Sequence, residues 1–184
     1  VFAVKDEYQI IVPVKSDLLL SVTVNGTEYF DPSNGIIRSS TRLHKVVVPI
    51  KELDSAREYT VSYRKIIDRK PYFPLTEEKV SVTYPFRPIT SGKPINIYHL
   101  SDTHGDFAAS SEAGKFFGDG IDLLVLNGDI PDHSGNIENF DLIYTLCDAI
   151  THGQIPCVFS RGNHDMRGFF AEKLEEYTPT YNGR

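Results

Sequence analysis

Cysteine is nearly absent: Cys147 and Cys157 are the only two in 184 residues, with no C-x-x-C spacing. That usage argues against a metal pair or a disulfide, predicts two buried free thiols, and leans towards a reducing, cytoplasmic setting. Long apolar runs are missing too, since none approaches the roughly 20 residues that cross a bilayer. Val1–Val14 lacks the basic-then-apolar layout of a signal peptide, so no membrane association is expected. No G-x-G-x-x-G follows any apolar run, which argues against a nucleotide-binding Rossmann enzyme. Positive charge is scarce in one half only. Residues 94–184 hold 5 Lys+Arg against 14 Asp+Glu, whereas residues 1–93 hold 14 against 11. The acidic half is a poor surface for a nucleic-acid backbone, and a surplus of carboxylates fits a place where cations sit.

What is present divides the chain by periodicity. From Tyr8 to Phe86 apolar residues alternate, predicting antiparallel strands at Tyr8–Val14, Leu18–Val24, Thr27–Phe30, Leu43–Ile50, Tyr59–Arg64 and Val80–Phe86. Asn25-Gly26 is a type I′ hairpin signal, because both central residues take positive φ, and 31–35 is a second turn. These strands predict a small β-sandwich. The stretch 53–61, with Leu53 and Tyr59 six residues apart, resembles the corner turn of fibronectin type III domains. Basic residues around Arg64-Lys65 and Arg69-Lys70 read as a solvated strand end or loop, and His44 and His152 as surface residues.

The proline-containing stretch 87–94 marks the domain boundary, giving domains 1–90 and 91–184. Beyond it, near-continuous apolar runs at Ile95–Leu100, Ile121–Leu126 and Ile155–Phe159 alternate with helical spacing at Phe107–Phe117, Phe140–Ile150 and Phe169–Tyr177. Such runs predict strands buried on both faces, and the alternation predicts a β-α-β-α-β-α order with parallel strands. His99, inside the first run, reads as a core residue.

Each run is followed by a polar cluster: Asp102-Thr103-His104-Gly105-Asp106, Gly128-Asp129, and Arg161-Gly162-Asn163-His164-Asp165. Open parallel sheets bind ligands at the carboxyl ends of their strands, so residues up to 62 apart should meet on one rim. Asp102 and His104, two residues apart on a strand leaving the sheet, can reach one cation. Asp129 can bridge two, Asn163 adds an amide oxygen, and His164 remains as a proton donor or substrate contact. This donor set suits Mn, Fe, Zn or Co. Two such ions about 4 Å apart would activate water for displacement at phosphorus. Gly105, Gly128 and Gly162 would let the backbone turn beside them. Asp106 reads as a helix N-cap.

In order and placement, Asp102-x-His104, Gly128-Asp129 and Gly162-Asn163-His164-Asp165 resemble the first three motifs of the calcineurin-like metallophosphoesterase superfamily, over roughly residues 95–168. The sandwich in front is similar to the accessory domain that some members carry, purple acid phosphatases among them. The resemblance implies a hydrolase that cleaves small phosphomonoesters or phosphodiesters with two divalent ions. Asp102 and His104 would hold the first ion, Asp129 would bridge, and Asn163 would hold the second. His164 would contact or protonate substrate, and Asp132 would orient it. His133 stands where phosphoprotein phosphatases have Arg, which argues against that branch. Arg161 and His133 are candidate substrate contacts. The family completes its metal shells with a further His and a Gly-His-x-His downstream, yet the 20 residues after His164 contain no His. The expectation is therefore a fragment that binds metal weakly and hydrolyses little. The competing reading, a non-catalytic binding or adhesion module with a degenerate α/β half, is opposed by the intact motif residues.

Overall fold

A computed structural model describes residues 1–181; the last three residues of the expected second domain lie outside the described residues. In chain order the strands and helices are β1 (Phe2–Val4), β2 (Glu7–Pro13), β3 (Leu18–Val24), β4 (Thr27–Phe30), β5 (Pro32–Ser33), β6 (Ile36–Ile37), β7 (Leu43–Pro49), α1 (Ile50–Ala56), β8 (Glu58–Arg69), β9 (Pro74–Thr76), β10 (Val80–Pro85), β11 (Ile97–Leu100), α2 (Phe107–Phe117), β12 (Leu123–Asn127), α3 (Ile137–Thr151), β13 (Cys157–Ser160) and α4 (Leu174–Tyr177). None of the described helices is long and apolar enough to cross a membrane.

Two compact units result: Asp6–Phe86, and Val1–Lys5 together with Arg87–Arg184. The first five residues therefore pack with the α/β unit rather than with the antiparallel one. The cause is β1, where Phe2 pairs in parallel with Cys157 and is nearly fully buried.

In the Asp6–Phe86 unit, β10, β8, β3 and β4 form one antiparallel sheet and β2 pairs antiparallel with β7. Tyr8, Ile10, Val46 and Val48 are buried from the second pair, and Leu20, Val22, Val24 and Tyr59 from the first sheet. Each fully buried apolar side chain of this kind stabilises the fold by about 1.5–3 kcal/mol. Asn25 and Gly26 take φ of 49° and 78°, the expected mirror-image turn between β3 and β4. The turn at 53–61 is instead entered through helix α1, which buries Leu53 and ends where Arg57 turns left-handed and donates its amide to Leu53 O at 2.9 Å. Strand β8 runs on to Arg69 and pairs with β9, so Arg64, Lys65 and Arg69 lie on its exposed end. There Arg69 pairs with Asp17, and Lys65 with Glu77 at 3.6 Å. His44 is wholly buried, contrary to its reading as a surface residue, because the two-residue period aligns it with Val46 and Val48; Nδ1 lies 3.4 Å from Asp31.

In the α/β unit the strand order is β11-β12-β13-β1, all parallel. Helix α3 buries Phe140, Ile143, Leu146, Cys147 and Ile150, the spacing of one helical face. Asn136 caps its start by accepting from Asn139 N at 3.1 Å. Asp106 caps α2 in the same way through Ala109 N at 3.1 Å. Cys147 and Cys157 are buried and free. The strands are not buried on both faces. Leu124, Leu126 and Cys157 are fully covered, but Ile97 (53% exposed), His99 and Val158 are open. Alternate residues of a strand point to opposite faces, so His99 lies on that open face and not in the core. The segment expected as one helix over Phe169–Tyr177 is a short 3-10 turn at Ala171–Lys173 followed by α4.

Candidate metal centre

The carboxyl ends of β11, β12 and β13 are tied together by their own backbones. Asp102 N donates to Gly128 O (3.1 Å), His104 N to Asp129 O (3.0 Å) and Gly105 N to Ile130 O (2.8 Å). The third loop joins through Asp129, whose Oδ1 accepts from His164 N at 2.6 Å. Asp165, wholly buried, closes the assembly: its Oδ2 accepts from Asp129 N at 2.8 Å and from Gly162 N at 2.6 Å. Burial pushes the Asp165 carboxyl above its ordinary range, against the pull of those two donors.

This fit needs unusual backbone. Asp102, His104 and Asp129 all have positive φ, at 55°, 46° and 54°. Non-glycine residues there cost on the order of 1 kcal/mol each, and such strain concentrates at functional sites. Gly162 serves by close approach: a Cβ on it would fall 2.7 Å from Asp129 Cγ and collide with the carboxylate oxygen. A Cβ on Gly128, which has φ of 77°, would fall 2.8 Å from Gly162 Cα.

The side chains meet as a result. Donor atoms of Asp102, His104 and Asp129 lie within 4.8 Å of one another, as do those of His104, Asp132 and His164. The His104 and His164 rings are edge to face at 4.4 Å between centroids, bridging residues 60 apart in sequence. With its amide oriented to satisfy both ends, Asn163 donates to Asp129 Oδ2 at 3.0 Å. Among the described residues no Lys or Arg pairs with Asp102 or Asp129. The carboxylates of Asp102 and Asp129, without a basic partner and beside the imidazole of His104, form a mixed O/N donor set that fits a divalent cation.

Other expected residues are placed differently. Asp132 reaches His164 through its backbone carbonyl, 2.6 Å from Nδ1, while its carboxylate stands 3.8 Å from His164 and 3.7 Å from His104. Its carboxylate is thus a candidate ligand beside two imidazoles rather than a hydrogen-bond partner of one. His133 is spent on the approach to α3, where Nδ1 accepts from Gly135 N at 2.9 Å. Arg161 is exposed and has no hydrogen-bond partner among the described residues. Two contributors were not expected. Asp165 stood in the quoted motif without a role. Arg167, whose Nη1 lies 2.9 Å from His164 Nε2, had only its position three residues after that histidine as a signal.

Residues 95–183 match the family described as calcineurin-like phosphoesterase. No curated protein matches the chain. Among solved structures, the purple acid phosphatase isolated from yellow lupin (Lupinus luteus) seeds superposes with a TM-score of 0.50 at 12% identity. That match covers 91% of this chain and 36% of the phosphatase chain, so the likeness is one of fold and this chain spans about a third of its neighbour's length. Three strand-end motifs converging on one cation-competent rim agree with the family match: over residues 95–183, the chain is similar to the calcineurin-like phosphoesterase family.

Proposed function

We propose that this chain carries part of the centre of a metal-dependent hydrolase that cleaves a small phosphomonoester or phosphodiester. One observation carries the reading: Asp102, His104 and Asp129 place their donor atoms within 4.8 Å of one another. Asp102, His104 and Asp129 would hold the first of two divalent ions (Mn, Fe, Zn or Co), and Asp129 and Asn163 would serve the second. When bound, the ions lower the pKa of water and offset charge at phosphorus. The chain's own residues orient and protonate. Asp165 holds Asp129 and Gly162 in register. Asp132 O fixes His164 Nδ1, which leaves Nε2 as the nitrogen that faces substrate and serves the leaving oxygen. The antiparallel unit is an accessory module of fibronectin type III-like character. The −9 balance of residues 94–184 favours a small substrate over a nucleic-acid backbone.

The test is turnover of p-nitrophenyl phosphate and bis(p-nitrophenyl) phosphate with added Mn2+, alongside Mn2+ binding. Asp129→Asn should abolish both, whereas His164→Ala should lower turnover and leave much of the metal bound. Full activity in Asp129→Asn would falsify the assignment. No turnover by the unaltered protein with either ester at any pH would favour a binding or adhesion module.

A further inference from the structure

The turn that presents Asn163 and His164 also presents a cation, Arg167. Its backbone is pinned on both sides. The amide donates to His164 O at 3.1 Å, and the carbonyl accepts from Ser134 N at 2.8 Å and Ser134 Oγ at 2.9 Å. Ser134 is itself fully buried. From this fixed base the guanidinium folds back over the site, with Nη1 2.9 Å from His164 Nε2 and Nη2 donating to the Asn163 amide oxygen at 2.8 Å.

The choice of partners is unusual. A guanidinium is matched to carboxylates and phosphates, which accept two of its N–H groups at once. Here, with Asp129 and Asp132 both in contact with the same turn, no carboxylate pairs with Arg167 among the described residues. Two of its donors go instead to neutral lone pairs. One is the amide oxygen that Asn163 would give to a metal ion. The other is the Nε2 of His164, whose Nδ1 is already engaged with Asp132 O. The guanidinium thus covers a metal-ligand atom and the imidazole nitrogen assigned to the leaving oxygen together.

We propose that Arg167 is a resident cation that competes with the second metal ion: it holds Asn163 and His164 in place and must leave both before a divalent ion and substrate engage them. The proposal rests on the metal-centre reading above. It makes Arg167 a positioning residue whose removal tightens metal binding, the opposite of what loss of a ligand or of a merely structural contact would do.

The experiment is calorimetric titration of Mn2+ into the unaltered protein, Arg167→Ala, Arg167→Gln and, as control, Asp129→Asn. Charge-assisted hydrogen bonds released from two acceptors predict an affinity gain of about three- to tenfold for Arg167→Ala. Arg167→Gln keeps the aliphatic stem and removes the charge, so it should gain similarly and covers the case in which the alanine variant folds poorly. A second readout is the 15N shift of His164 Nε2 in the metal-free protein, which should move when its guanidinium partner is removed. Unchanged or weaker Mn2+ binding in both variants, while Asp129→Asn loses Mn2+, overturns the competition and leaves the metal centre standing. Undiminished Mn2+ binding by Asp129→Asn, or none by any of these proteins, overturns both readings.

Discussion

The most informative single perturbation is Asp165→Ala. One carboxylate oxygen accepts from Asp129 N and Gly162 N, 2.8 and 2.6 Å away, so truncation strands two donors that otherwise have no partner. Hydrogen bonds to a charged acceptor contribute about 1.5–3 kcal/mol each, and a stranded buried donor costs about 1–3 kcal/mol. Against this stands the cost of burying the carboxylate itself, seen in its raised pKa and in Oδ1, which is buried without a partner. The net loss should be about 3 kcal/mol, a fall in Tm of about 6–12 °C for a chain of this size. The conservative variant separates shape from charge. In Asp165→Asn the amide oxygen can still accept from both N–H groups, so it should retain most of the stability and most of the Mn2+ binding. Thermal melts of the three proteins, with Mn2+ titrations beside them, check the argument. If Asp165→Ala melted within about 2 °C of the unaltered protein and bound Mn2+ as well, the clasp would have no part in holding the two loops together.

Three further outcomes are expected. Gly162→Ala should lose metal binding with a smaller stability cost of about 1–3 kcal/mol, because its Cβ would press on the Asp129 carboxylate; unaltered Mn2+ affinity would count against the close approach. Tyr8 donates to Asp54 Oδ1 at 2.8 Å, and burial, then that bond, push its pKa up. A phenol harder to ionise when folded contributes stability that is fully present below the unfolded value near 10 and lost as pH rises beyond it. Tyr8→Phe should therefore be less stable by about 1 kcal/mol at pH 8, with the gap closing above pH 10 in urea melts; a constant gap would refute the linkage. His104→Ala should remove the donor common to both triads and weaken Mn2+ binding at least tenfold, read by equilibrium dialysis.

Much of the centre was legible because its chemistry is local. Asp102-x-His104, Gly128-Asp129 and Gly162-Asn163-His164 each follow an apolar strand, and strand ends of a parallel sheet share a rim, so spacing alone brought them together. The roles of Asp165 and Arg167 were not legible, since both depend on how a tight turn returns a side chain onto a neighbouring loop, which no periodicity encodes. The same holds for Asp132, whose backbone oxygen and not its carboxylate binds His164. In the fold, β1 escaped notice because three residues carry too little pattern, and its partner Cys157 is 155 positions away from Phe2. Helix α1 has Pro49 at its N-cap position, with no side-chain cap, which removes the usual start signal. His44 was misplaced on polarity, although its alternation with Val46 and Val48 put it inside.

The central claim is that Asp102, His104 and Asp129 together hold a divalent cation, and a Mn2+ titration followed by electron paramagnetic resonance tests it most directly. The account predicts that free Mn2+ signal disappears on addition of the unaltered protein and persists with Asp102→Asn, His104→Ala or Asp129→Asn. Equal uptake of Mn2+ by all four proteins would contradict it.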